Sequence, residues 1–161
     1  MTRKRDLTKM VDKKLKKISK PTRHDKLEAI IDSVKHAGRL HSCVLADENG
    51  LLLTERLHKQ ADRECVSAAI GLSAGFSDRM NEYLRIGDVK YNYVITKNTK
   101  VWTKVFILKE TNDKLVLFLI KSNTIASNLD KTTLKLLGKK PINMPELIDS
   151  AVALLRVAFK D

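Results

Sequence analysis

Residues Leu115 to Ile120 read Leu-Val-Leu-Phe-Leu-Ile, six apolar side chains in a row. Side chains of a strand alternate between two faces, so a strand with no polar residue on either face must be covered on both. Cys43-Val44-Leu45-Ala46 has the same character. Such strands belong near the centre of a sheet with both faces covered, and this requirement constrains everything around them.

The neighbouring segments supply the cover. Thr22 and Asp25 offer helix-start chemistry, and Leu27, Ile30, Ile31 and Val34 follow a 3.6-residue stripe up to Gly38, which predicts a helix over 24–37. Asn49-Gly50 between two apolar runs is a hairpin signal, because the turn needs positive φ, and it predicts a β-hairpin over 41–56. After a helix at 60–85, Gly87-Asp88 breaks the chain and strands are expected at 90–96, 101–108 and 115–120. Asp130 to Leu137 has the character of a short helix, and Pro145-Glu146 opens a clear one that runs to Phe159 with Leu147, Ile148, Ala151, Leu154, Leu155 and Ala158 as its stripe. The order is α-β-β-α-β-β-β-α.

The 60–85 helix is nearly apolar all round. On a 100° wheel Ala61, Cys65, Ala68, Ala69, Leu72, Phe76 and Tyr83 share one face, read here as the core stripe. Val66, Ile70, Ala74 and Ser77 line the opposite face, with Ser67 and Ser73 at its margins. A helix apolar on two sides needs two covers. One is its own sheet, and the other is read as a second subunit, with a helix buried inside one domain as the plainer alternative. Gly71 and Gly75 add a GxxxG spacing that permits close backbone approach.

Charge is concentrated at one end. Lys plus Arg number 31 against 19 Asp plus Glu, a net +12. Residues 1–20 carry nine cations and two anions, so 9 − 2 = +7 of that excess lies there. Leu7, Met10, Val11, Leu15 and Ile18 recur at helical spacing, with lysines between them. The segment 1–21 therefore reads as a basic amphipathic arm whose Lys9, Lys13, Lys14, Lys16 and Lys17 suit an anionic membrane or an acidic partner. A solvated arm, or a helix packed on its own domain, is the alternative. Nucleic acid fits least, because no aromatic residue lies in the arm to stack on bases. Apolar runs of about six residues fall far short of the roughly 20 that a membrane span needs. Two cysteines and no leader-like apolar segment point to reduced thiols and a cytoplasmic setting, peripheral to a membrane if the arm docks there.

Catalytic constellations are missing from the sequence. No phosphate-binding glycine loop and no nucleophile elbow occurs. His36, His41 and Cys43 match no standard zinc spacing, so no metal and no cofactor is expected. Cys43 and Cys65 read as inert core thiols. The chain reads as a binding or scaffolding module and not as an enzyme.

Ser42 to Thr54 (Ser-Cys-Val-Leu-Ala-Asp-Glu-Asn-Gly-Leu-Leu-Leu-Thr) resembles the opening hairpin of roadblock domains, named for a dynein light chain and related to longin folds. Cys65-Val-Ser-Ala-Ala-Ile-Gly-Leu-Ser-Ala-Gly75 resembles that family's small-residue second helix, and Asn128-Leu129 is similar to its Asn-Leu-Gly, with Asp130 in place of glycine. The resemblance covers 24–159 and leaves the arm outside, so the chain divides into 1–21 and a roadblock-like domain over 22–161. It implies an α/β/α sandwich around a five-stranded antiparallel sheet. It also implies dimerisation through the second helix and third strand, with two sheets joined into one. The dimer-interface residues are then Val66, Ile70, Ser73, Ala74, Ser77, Tyr91, Tyr93 and Ile95. The implied partners are a second copy or a paralogous roadblock protein and a small Ras-like GTPase, which such dimers bind and regulate. The alternatives are a membrane adaptor held by the arm, or a light-chain-like cargo scaffold.

Overall fold

A computed structural model describes residues 2–122 and 141–161, with side chains from Asp6 onward. The short helix expected at 130–137 and the Asn128-Leu129-Asp130 segment lie outside the described residues. Helix α1 (Thr2–Leu15) precedes α2 (Arg23–Gly38), β1 (Ser42–Asp47), β2 (Leu52–Arg56), α3 (Arg63–Leu84), β3 (Asn92–Ile95), β4 (Thr99–Ile107), β5 (Lys114–Ser122) and α4 (Met144–Lys160). The five strands form one antiparallel sheet in the order β2-β1-β5-β4-β3. The apolar run 115–120 lies in the central strand, as its lack of polar residues requires.

The alternation of β1 and β5 divides the interior into two cores. Val44 sits opposite Phe118 and Leu45 opposite Leu117. Cys43, Leu45, Leu117 and Leu119 face α2 and α4, joined by Ile31, Val34, Ile148 and Leu155. Val44, Ala46, Val116 and Phe118 face α3. Thr22 starts α2 with a reciprocal cap: its hydroxyl accepts from the Asp25 N–H at 3.2 Å, and the Asp25 carboxylate accepts from the Thr22 N–H at 2.7 Å. Those Thr22 hydrogen bonds hold the Asp25 carboxyl below its ordinary pKa.

Helix α1 packs on α2 and α4, outside the sheet. Leu7 and Val11 are buried in the α2/α4 core, and Leu15 packs against it. Lys14 Nζ bonds the Asp32 carboxylate, and Arg56 lies 3.5 Å from the same group. The Lys14 hydrogen bond leads in holding the Asp32 pKa down, with its charge and that of Arg56 adding to the effect. Leu7, Val11 and Leu15 of the apolar stripe are thus spent on the chain's own domain, whereas Ile18 is exposed.

The β1–β2 hairpin differs from a two-residue Asn-Gly turn. Asp47 N–H donates to Leu51 O at 3.0 Å, so three residues, Glu48 to Gly50, make the connection. The Asp47 carboxylate accepts from the N–H groups of Asn49 and Leu51, both at 2.9 Å. Gly50 has φ 88°, and the register slips between Leu45 and Ala46.

Candidate functional site

Helix α3 is set on the sheet by its small side. Asp62 caps it, accepting from the N–H groups of Glu64 (2.9 Å) and Cys65 (3.1 Å). Val66, Ile70, Ala74 and Ser77 are its buried residues, spaced four, four and three apart. Ser67 Oγ donates to Gly50 O at 2.6 Å, and a Cβ added to Gly71 would stand 3.2 Å from the Asn49 carbonyl oxygen. Ser77 accepts from the Asn92 amide, which ties the helix to the start of β3. Lys114 of β5 meets Asp78 at 3.1 Å and Glu48 at 3.8 Å. The Asp78 hydrogen bond raises the Lys114 pKa.

This seating reverses the two faces read from the sequence. Val66, Ile70, Ala74 and Ser77 are covered by the chain's own sheet, so they are unavailable to another subunit. Ser73 is half-buried beside them. The face read as core is the uncovered one: Leu72 is 77% exposed, Phe76 55% and Tyr83 76%. The reason is steric. The hairpin turn must approach the helix backbone at Ser67 and Gly71, which only small residues allow, so the larger side chains are left outside. Gly71 serves this internal approach, whereas a Cβ on Gly75 would meet nothing within 4 Å.

Further apolar residues are exposed beyond the helix. Leu84 and Ile86 are exposed, as are Tyr93, Val94 and Ile95 of β3, the edge strand. Val94 lies on the α3 side of the sheet, opposite Val101. Tyr93 lies on the other side and stacks on Trp102 at 5.0 Å. Of the expected strand contacts, Tyr93 and Ile95 are accessible, and Tyr91 is half-buried against the α2/α4 core. Sequence reasoning missed Leu72, Phe76, Tyr83, Leu84, Ile86 and Val94. The usable signal was size, because the small residues mark the face that approaches backbone. What this face can do is bury apolar area against a partner.

The remaining candidates separate. Cys43 is buried, and burial pushes its thiol pKa up. Cys65 is exposed, contrary to the core thiol expected of it, because it lies on the outer face of α3. Lys9, Lys13, Lys16 and Lys17 are exposed, and Lys14 is held by Asp32. His41 stacks on His58 with ring centroids 4.7 Å apart. Burial, then the neighbouring His58, lowers the His41 pKa. No group of three metal-ligating side chains occurs among the described residues. A cleft of about 280 Å³ beside the second half of β4 is lined by charges of both signs, including Asp78, Asp88, Lys104 and Arg156.

No protein-family model and no curated protein sequence matches this chain. Solved structures do resemble it. Myxococcus xanthus MglB aligns with a TM-score of 0.58 at 16% identity, over 84% of this chain and 95% of that one. An MglB with tetrameric arrangement gives 0.59 at 13%, over 86% and 91%. The gliding protein MglB from Thermus thermophilus gives 0.57 at 13%, over 86% and 93%. At these identities the likeness speaks to architecture, and it agrees with the fold class that the resemblance implied. The chain has the fold of a roadblock-type domain.

Proposed function

We propose that this chain is a non-enzymatic, roadblock-type module that pairs with a second copy of itself through α3 and β3, and that the pair binds and regulates a small Ras-like GTPase. One observation carries the reading: Leu72, Phe76 and Tyr83 stand exposed along one side of α3, and the edge strand β3 carries exposed, uncharged residues on both sides of the sheet, Val94 on the side of α3 and Tyr93 and Ile95 on the other. A patch of that kind is costly to leave in water and marks an interaction site. Two copies meeting across it make an isologous contact, in which every residue counts twice. The tetrameric arrangement of a structurally similar MglB supports self-association as a property of this architecture.

The test has two parts. Sedimentation equilibrium from about 1 to 100 µM should show dimers, and a chain that stays monomeric at the upper limit overturns the pairing. Immobilised chain should then retain a purified small GTPase in one nucleotide state and release it in the other. Retention that ignores the nucleotide, or none, removes the GTPase from the proposal.

A further inference from the structure

Helix α1 presents a second surface, on the opposite side of the sheet from α3. Leu7 and Val11 dock it along the body, which fixes its orientation. Lys9, Lys13 and Lys16, four and three residues apart, then fall on the outward side, and Lys17 and Lys20 follow; all five are exposed. None of the five forms an ion pair among the described residues, whereas Lys14, on the inward edge, is neutralised by Asp32. Asp6 and Asp12 are the acids in the same stretch. Lys9 to Lys16, which follows directly on the last residue of α1, spans about 10 Å, close to one Debye length at ordinary salt, so an approaching surface meets these charges together.

We propose that this lysine face docks the protein on an anionic bilayer surface. The charges lie on the outside of a helix and not in a groove, and they are ammonium groups that match a layer of headgroups as point charges. Residues 6–20 contain no aromatic side chain to stack on a base, which favours the bilayer over nucleic acid. Because Leu7, Val11 and Leu15 are committed to the domain core and only Ile18 of the stripe is exposed, the contact is mainly electrostatic and reverses with salt. It does not depend on whether the chain pairs through α3.

Co-sedimentation with phosphatidylcholine vesicles containing about 30% phosphatidylserine tests this, beside pure phosphatidylcholine vesicles and a duplex DNA. The full chain should bind the anionic vesicles at about 50 mM salt and leave them at about 300 mM. Each lysine near such a surface contributes about fivefold, so Lys9→Gln, Lys13→Gln and Lys16→Gln together should weaken binding roughly a hundredfold. Circular dichroism checks that this variant folds, and Leu72→Asp, on the opposite face, should still bind in a lysine-dependent way. No binding to anionic vesicles at low salt, equal binding to neutral ones, an unchanged triple variant, or tighter binding to DNA would each overturn the proposal.

Discussion

Two apolar residues of α3, two positions apart, should behave in opposite ways. Ile70 is 0% exposed and packs among Val44, Val66, Ala74, Val116 and Phe118, whereas Leu72 is 77% exposed. Ile70→Ala removes buried methyl groups and leaves a cavity, which costs about 2–5 kcal/mol. With a urea slope of about 2 kcal/mol per molar, the unfolding midpoint should fall by roughly 1–2.5 M. Leu72→Asp changes a side chain that is mostly exposed in the monomer, so at high dilution its unfolding free energy should stay within about 1 kcal/mol of the parent. Its effect should appear in association. Burying an exposed leucine is worth about 1.5–3 kcal/mol, and a two-fold contact loses it twice. Scaled by the exposed fraction, the loss is about 2–5 kcal/mol, roughly a 30- to 3,000-fold weaker dimer. Urea unfolding below the dissociation constant, paired with sedimentation at high concentration, separates the two effects. If Ile70→Ala weakened association while leaving unfolding unchanged, or Leu72→Asp unfolded the monomer, the assignment of faces would be wrong.

Three further outcomes follow from single contacts. Gly50→Ala would place a Cβ 2.2 Å from the Ser67 carbonyl oxygen at a φ of 88°, so it should destabilise by at least about 1–3 kcal/mol, read as a lower thermal midpoint. Asp32 has a depressed pKa, so its contribution is fully present above the ordinary value near 4 and is lost as pH falls through the lower native value. Docking of α1, followed by proteolysis within residues 1–20, should therefore weaken at acid pH, and Asp32→Asn should abolish that dependence. A thiol reagent should modify Cys65 in the native chain and reach Cys43 only on unfolding, so two fast equivalents would contradict the burial of β1.

Much of the architecture was legible in the sequence because its strongest signals are local. A six-residue all-apolar run bounded by turn signals reads as a central strand, Thr22 with Asp25 is a reciprocal cap, and Asn49-Gly50 needs a turn. Boundaries shifted by one to three residues, and the hairpin lengthened to three because the Asp47 carboxylate organises its own loop. The failure on α3 has a different origin. Hydrophobic periodicity says that two sides are apolar but not which one meets the sheet, because that depends on how closely the β1–β2 turn approaches Ser67 and Gly71. The fate of the basic segment was hidden for a similar reason. Its stripe fits a bilayer and a domain core equally well, and only the groove between α2 and α4 selects the core. The exposed residues of the candidate site thus lay in plain view, assigned to the wrong side of their helix.

The two borders of the sheet are unlike each other. At β2, Glu55 meets Arg63 at 2.9 Å, Arg56 lies between Glu28 and Asp32, and α2 leans on the strand. At β3, the outermost residues are tyrosine, valine and isoleucine. A border laced with ion-paired charge resists further strand addition, while a bare one invites it. Copies that join bare border to bare border leave a guarded border at each end. Growth by repeated addition then has nowhere to continue, and a chain that would otherwise be a building block for fibres becomes one that stops at a finite count.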